Sequence, residues 1–179
     1  MRRTLVVLVA VATLVSLPSA QATTASHTDP TGDVTGAGDA RADIVTVDAA
    51  YAGGTITLGL AVAKPEAPSS RNWVDGDTGI FWTIFHPSGA EFEANFSAFD
   101  DGPSGSLFDE NEVVVCDDQV SATFGTDGRY SVSFPSSCLG DPASISVTAE
   151  IGYDDIAAGK GPSEDVAPDN EEECCSVAP

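Results

Sequence analysis

Between residues 43 and 153 apolar side chains recur at every second position in short runs, and few folds are open to a chain so patterned. Ile56, Leu58, Leu60 and Val62 alternate with Thr, Gly and Ala, and Tyr130, Val132 and Phe134 repeat the arrangement. Ile145, Val147, Ala149 and Ile151 do so again. Successive side chains on a strand point to opposite faces, so this period buries one face of a sheet and leaves the other wet. Gly, Pro, Asp and Ser punctuate the runs, and no stretch keeps a helical period beyond one turn. With no helices to cover a parallel sheet, the pattern predicts an all-β fold: an antiparallel β-sandwich of about seven to nine strands.

The expected strands are Ile44–Tyr51, Thr55–Val62, Gly79–His86, Glu91–Phe99, Glu112–Cys116, Gln119–Phe124, Arg129–Phe134 and Ser144–Tyr153. Residues Ile80–Phe85 are apolar on both faces, which predicts a central strand. Lys64–Asp77 and Asp100–Ser106 read as connections, the first carrying Trp73 in polar surroundings, and Pro135–Leu139 reads as one helical turn.

The chain opens with Arg2 and Arg3, an apolar run from Leu5 to Leu17, and Ala20-Gln21-Ala22, which together read as a secretory signal peptide over residues 1–22. The run is too short to cross a bilayer as a helix and no later one is longer, so the expected product is secreted and not membrane-embedded. Residues 23–42 form an extended lead-in, 43–169 the sandwich domain, and 170–179 an acidic tail expected to be disordered. Residues 23–179 carry five basic against 28 acidic side chains, a formal charge of −23 with histidines neutral. Nucleic acid and anionic membrane surfaces are excluded as partners, because both are bound by neutralising phosphate with Lys and Arg. Acids scattered this evenly also form a solvated coat that keeps an exported protein in solution.

Cys116 and Cys138 each end a strand-like run and are paired as a disulfide, which an oxidising compartment permits. The adjacent Cys174 and Cys175 have three fates open to them: closure on each other, a bridge to a second chain, or free thiols. Neither pair has the two-to-four-residue gap of a zinc motif.

Loop carboxylates are the strongest chemical signal. Asp29, Asp33, Asp39 and Asp43 surround the entry to the first expected strand, and Asp154, Asp155, Asp165 and Asp169 the exit of the last. A hard cation takes six to eight oxygens, so if the two ends meet they can share one Ca2+ site. Asp75-Gly76-Asp77-Thr78-Gly79 begins like an EF-hand loop but has His86 where the bidentate Glu belongs and no flanking helices. Glu91, Glu93 and Glu150 are candidates for the carboxylate pair of a glycosidase, although alternation also explains Glu91 and Glu93 as one solvent face. No G-x-S-x-G elbow occurs, and His27 is expected in a loop. Trp73, Tyr51 and Tyr153, near loops and strand ends, are the candidate aromatic contacts to a ligand.

Asp29-Pro30-Thr31-Gly32-Asp33, then Ala42-Asp43-Ile44 with a strand and a Gly turn, and later Phe134-Pro135-Ser136-Ser137-Cys138-Leu139-Gly140 before the last strand, resemble secreted bacterial β-sandwich domains of the DOMON and family 9 carbohydrate-binding-module group. The resemblance implies a non-catalytic jelly-roll-like sandwich that in some members holds calcium and in some binds sugar or haem. Haem ligation does not carry over, since no Met follows Met1 and His27 and His86 are isolated. The expected function is thus a secreted binding or interaction module, calcium-stabilised, whose partner is a carbohydrate or cell-surface component. The alternatives are a structural envelope or surface protein without small ligand, and a secreted carbohydrate-active enzyme.

Overall fold

The structure, a computed structural model, describes residues 22–169 and 173–179, so the expected signal peptide lies outside the described residues except for Ala22. Among the described residues twelve strands, against the seven to nine expected, form two antiparallel sheets. The first sheet holds β1 (Thr23–Thr28), β3 (Ile44–Ala52), β4 (Thr55–Val62), β9 (Tyr130–Pro135) and β8 (Ser121–Phe124), side by side in that order. The second runs β2 (Thr35–Gly36), β11 (Pro162–Ala167), β10 (Ile145–Asp154), β5 (Gly79–Phe85), β6 (Glu91–Phe99) and β7 (Gly102–Asp109). β12 (Cys174–Val177) pairs with β10 beyond the end of β11, so β11 and β12 together cover the edge of β10 that β5 does not take.

The alternation expected from the sequence builds the core. Ile56, Leu58 and Leu60 of the first sheet and Ile80, Trp82, Ile84 and Val147 of the second are fully buried in one cluster. Each such side chain contributes about 1.5–3 kcal/mol by leaving water. β5 is central, as its two-sided apolar run predicts, lying between β10 and β6. The Cys116–Cys138 disulfide is present with a Cα separation of 5.6 Å, tying the loop after β7 to the one-turn 3-10 helix Ser136–Leu139.

Several expectations are corrected. Asp100–Ser106 is not a loop: Gly102–Asp109 pairs along β6 from Phe99–Gly102 to Phe92–Asp109. Its glycines imitate a turn, but Gly105 serves close packing, since a Cβ there would meet a Val120 methyl at 3.0 Å. Glu112–Cys116 is not a strand and has one bridge, Val114 to Phe108, with Val113 and Val114 exposed. The lead-in opens with a paired strand, β1, in register with β3 from Thr23–Tyr51 to Thr28–Thr46, and His27 lies in it and not in a loop. The tail expected to be disordered contains β12, whose inward Cys175 and Val177 offer too short a pattern to read beside the glutamates.

Candidate metal centre

Three carboxylates expected at the two ends of the domain do meet. Ligand oxygens of Asp29, Asp33 and Asp165 lie within 4.8 Å of one another. Asp29 and Asp33 come from the turn after β1, Asp165 from β11, and Asp169 from the turn that follows β11. Asp33, Asp165 and Asp169 also line one cleft of about 190 Å³ with Thr35 and Glu164.

The local sequence explains the arrangement. Gly32, with φ at +92°, turns the chain between Asp29 and Asp33, and its N–H donates to both oxygens of Asp43 at 3.1 Å. Asp43 therefore shapes the loop that carries two of the candidate ligands. The Asp29 N–H donates to Val45 O at 3.0 Å, which anchors the start of that loop to β3. On β11 the inward positions are Ser163, Asp165 and Ala167, so strand alternation itself drives the Asp165 carboxylate inside. There Oδ2 accepts the Ile44 N–H at 2.7 Å and Oδ1 the Val166 N–H at 3.0 Å, which fixes the direction of the group.

Asp29 is the anomaly. Its side chain is 0% exposed, and neither oxygen accepts a hydrogen bond. His27 Nε2 stands 3.6 Å from Oδ1, too far for one. Burial, followed by the charges of Asp169, Asp165, Asp33 and Asp43, pushes the Asp29 carboxyl up to about 7. Burial likewise raises Asp165 to about 6, partly opposed by the Ile44 N–H. Asp169 is raised too, by desolvation and then by Asp33 beside it. A buried charge is ordinarily paired or bound to metal. This donor set of oxygens alone, with neither Asp29 oxygen accepting a hydrogen bond, fits a hard divalent cation.

The remaining aspartates belong elsewhere. Arg41 donates to Asp39 through Nε at 2.8 Å and through its terminal nitrogen to both Asp39 and Asp155. The guanidinium also lies over the Tyr153 ring, 4.6 Å from its centroid. Asp39 is held down at about 2 by Arg41, so Asp39 and Asp155 form an ion-pair clamp and not part of the carboxylate cluster. Asp154 is separate again, with its N–H donating to Thr78 Oγ1 at 3.1 Å. The local sequence holds a signal for the division: Arg41, one of five Lys and Arg residues in 23–179, stands two positions from Asp39.

The aromatic candidates are corrected outright. Trp73, Tyr51 and Tyr153 are each no more than 2% exposed. Trp73 sits on the short helix α1 (Arg71–Val74), which turns its ring inward to within 5.4 Å of Phe96 and 5.1 Å of Tyr130. Tyr51 donates to Pro142 O at 3.2 Å, and the Tyr153 hydroxyl accepts from Asn72 at 2.6 Å and donates to Glu66. The hydroxyls of both tyrosines are thus used inside the fold.

A surface groove opens on the outer face of the second sheet around Glu91 and Glu93, the pair that alternation places on one solvent face. It measures about 430 Å³ and includes Thr83, Glu93, Asn95, Phe108 and Glu112. Asn95 Oδ1 accepts the Ser106 N–H at 3.0 Å. Glu93 also borders a neighbouring hollow with Glu150, and its carboxyl is raised by desolvation, then by Glu150 and Glu112. Outward alternation on three adjacent strands is the signal that could have found this surface. No helix among the described residues is long and apolar enough to cross a membrane. No protein-family model matches the chain, and comparison with curated proteins finds no matching relative.

Proposed function

We propose that this chain is an exported, non-catalytic β-sandwich module for binding or interaction, clamped by one calcium ion held by Asp29, Asp33, Asp165 and Asp169. The observation that carries the metal reading is Asp29, fully buried with neither oxygen accepting a hydrogen bond and aimed among other carboxylates. Left alone, such a group neutralises itself by taking up a proton; a divalent cation instead stabilises the ionised form. Calcium accepts irregular oxygen cages of this kind, whereas magnesium demands near-ideal octahedral geometry.

The ligand reading moves from the buried aromatics to the outer groove. A sugar presents apolar C–H faces and many hydroxyls, and the groove offers the Phe108 ring beside Thr83, Glu93 and Asn95. With its Oδ1 engaged by Ser106, Asn95 has its amide N–H groups left to donate. The enzyme alternative rests on Glu93 and Glu150, which stand on strands separated by β5.

Thermal melting of the whole chain, in millimolar calcium and after chelation, tests the metal reading. A site filled at a hundred times its Kd adds about 2.7 kcal/mol, which is about 5–11 °C for a domain of this size. Asp29→Asn is expected to abolish that rise while leaving the chelated protein folded. An absent rise, or one unchanged in Asp29→Asn, overturns the reading.

A further inference from the structure

Adjacent residues on a regular strand point to opposite faces of the sheet, so neighbouring cysteines there hold their sulfurs apart. Cys174 and Cys175 open β12, and yet their Sγ atoms stand 2.6 Å apart. That is only about half an ångström longer than a disulfide bond of about 2.05 Å. Two features of the backbone produce the approach. Cys175 has φ at +56°, the left-handed region that β-strand residues avoid. The pairing with β10 also slips between Val147–Cys174 and Ile145–Val177, so three steps along β12 match two along β10. The bulge rotates Cys175 back toward the side occupied by Cys174.

We infer that Cys174 and Cys175 are joined as a vicinal disulfide in the exported protein, fastening the C-terminal strand to the sandwich. Cys175 is buried, with Sγ 3.4 Å from Val47 O, whereas Cys174 is half-exposed and open to reagents. One of the two, as thiolate, attacks an external disulfide R–S–S–R, releasing one R–S⁻ and forming a mixed disulfide. The thiolate of the other then displaces the second R–S⁻. Two protein thiols are oxidised, one external disulfide is reduced to two thiols, and the protons pass to the departing thiolates. β12 packs against β1 and β3, and the Ala178 N–H donates to Thr23 Oγ1 at 2.8 Å, so the closed ring stands where the two ends of the domain join.

The inference rests on the export reading, because the reaction needs an oxidising compartment. Trypsin separates the two questions. Its sites at Arg71, Arg129 and Lys160 place Cys116 and Cys138 on different peptides and leave Cys174 and Cys175 alone together on 161–179. Full-length protein collected after export is denatured in iodoacetamide without reductant, digested and weighed. The expected result is a 161–179 peptide without alkylation, about two mass units lighter than the dithiol, taking two alkyl groups only after reduction. Two alkyl groups before reduction, with 72–129 and 130–160 still linked, overturn the vicinal bond and leave export standing. A linked pair of 161–179 peptides overturns it in favour of an interchain bridge. Alkylation of all four cysteines overturns it as well, whereas protein retained inside the cell overturns the export reading.

Discussion

Oδ2 of Asp165 accepts the backbone N–H of Ile44 at 2.7 Å, joining residues 121 positions apart at the rim of the sandwich. The bond couples β11 of one sheet to the first residue of β3 in the other and aims the same carboxylate at Asp29 and Asp33. Asp165→Asn keeps an acceptor for Ile44, so it is expected to stay folded and lose most of its calcium response. Asp165→Ala loses both and leaves a buried N–H unpaired, a further loss of about 1–3 kcal/mol. Urea unfolding of both variants, with and without calcium, checks the difference.

The chelated protein should lose stability as pH rises. Asp29 and Asp165 have folded-state values raised to about 7 and about 6 from an ordinary 3.8. Folding therefore favours their protonated forms, and the penalty for ionising them grows from about pH 4 and is complete above about pH 7. Calcium requires the ionised forms, so its stabilising effect should increase over the same interval and its binding at pH 6 should release protons. Melting curves across pH 4–8 and calorimetry in buffers of different ionisation enthalpy measure both trends. An effect of calcium that is flat across this range contradicts the assignment.

Arg41 should matter for stability and not for the metal. Asp39, lowered to about 2, contributes stability above its ordinary 3.8 that is lost as pH falls toward 2, the opposite trend to Asp29. Arg41→Ala leaves Asp39 and Asp155 uncompensated at a partly buried clamp and is expected to cost about 1–3 kcal/mol. Its rise in melting temperature with calcium should match the parent. A lost calcium response would place the clamp in the metal centre.

Trp73→Ala should act as a core deletion. The indole packs on Phe96 and Tyr130 and is 2% exposed, so its removal is expected to destabilise by about 3–5 kcal/mol. Asn95→Ala, on the outer groove, should change stability by less than about 0.5 kcal/mol beyond the loss of its bond to Ser106. Denaturant midpoints for the two variants, measured together, test whether Trp73 is core or surface.

Architecture was legible because alternation is a local property. Ile56, Leu58, Leu60 and Val62 are written in the order in which they are buried, and the strand holding Trp82 could be placed centrally from its two apolar faces. β7 and β12 were not legible, since Gly102 and Gly105 carry turn chemistry and Cys174–Val177 is too short to show a period. Trp73 misled for a related reason: its neighbours are polar, and a single helical turn suffices to reverse its direction.

By itself the sequence determined the fold class, the Cys116–Cys138 pair and the crowding of carboxylates at both ends of the domain, because each depends on spacing along the chain. Only the tertiary structure decided which aspartates meet. Asp29, Asp33 and Asp165 converge because β1 and β11 lie on different sheets whose edges close on one another, while Arg41 draws Asp39 and Asp155 into a separate clamp. Ligand clusters assembled across 130 or more residues depend on how sheets stack, and stacking is a sum over the whole core that no local stretch contains.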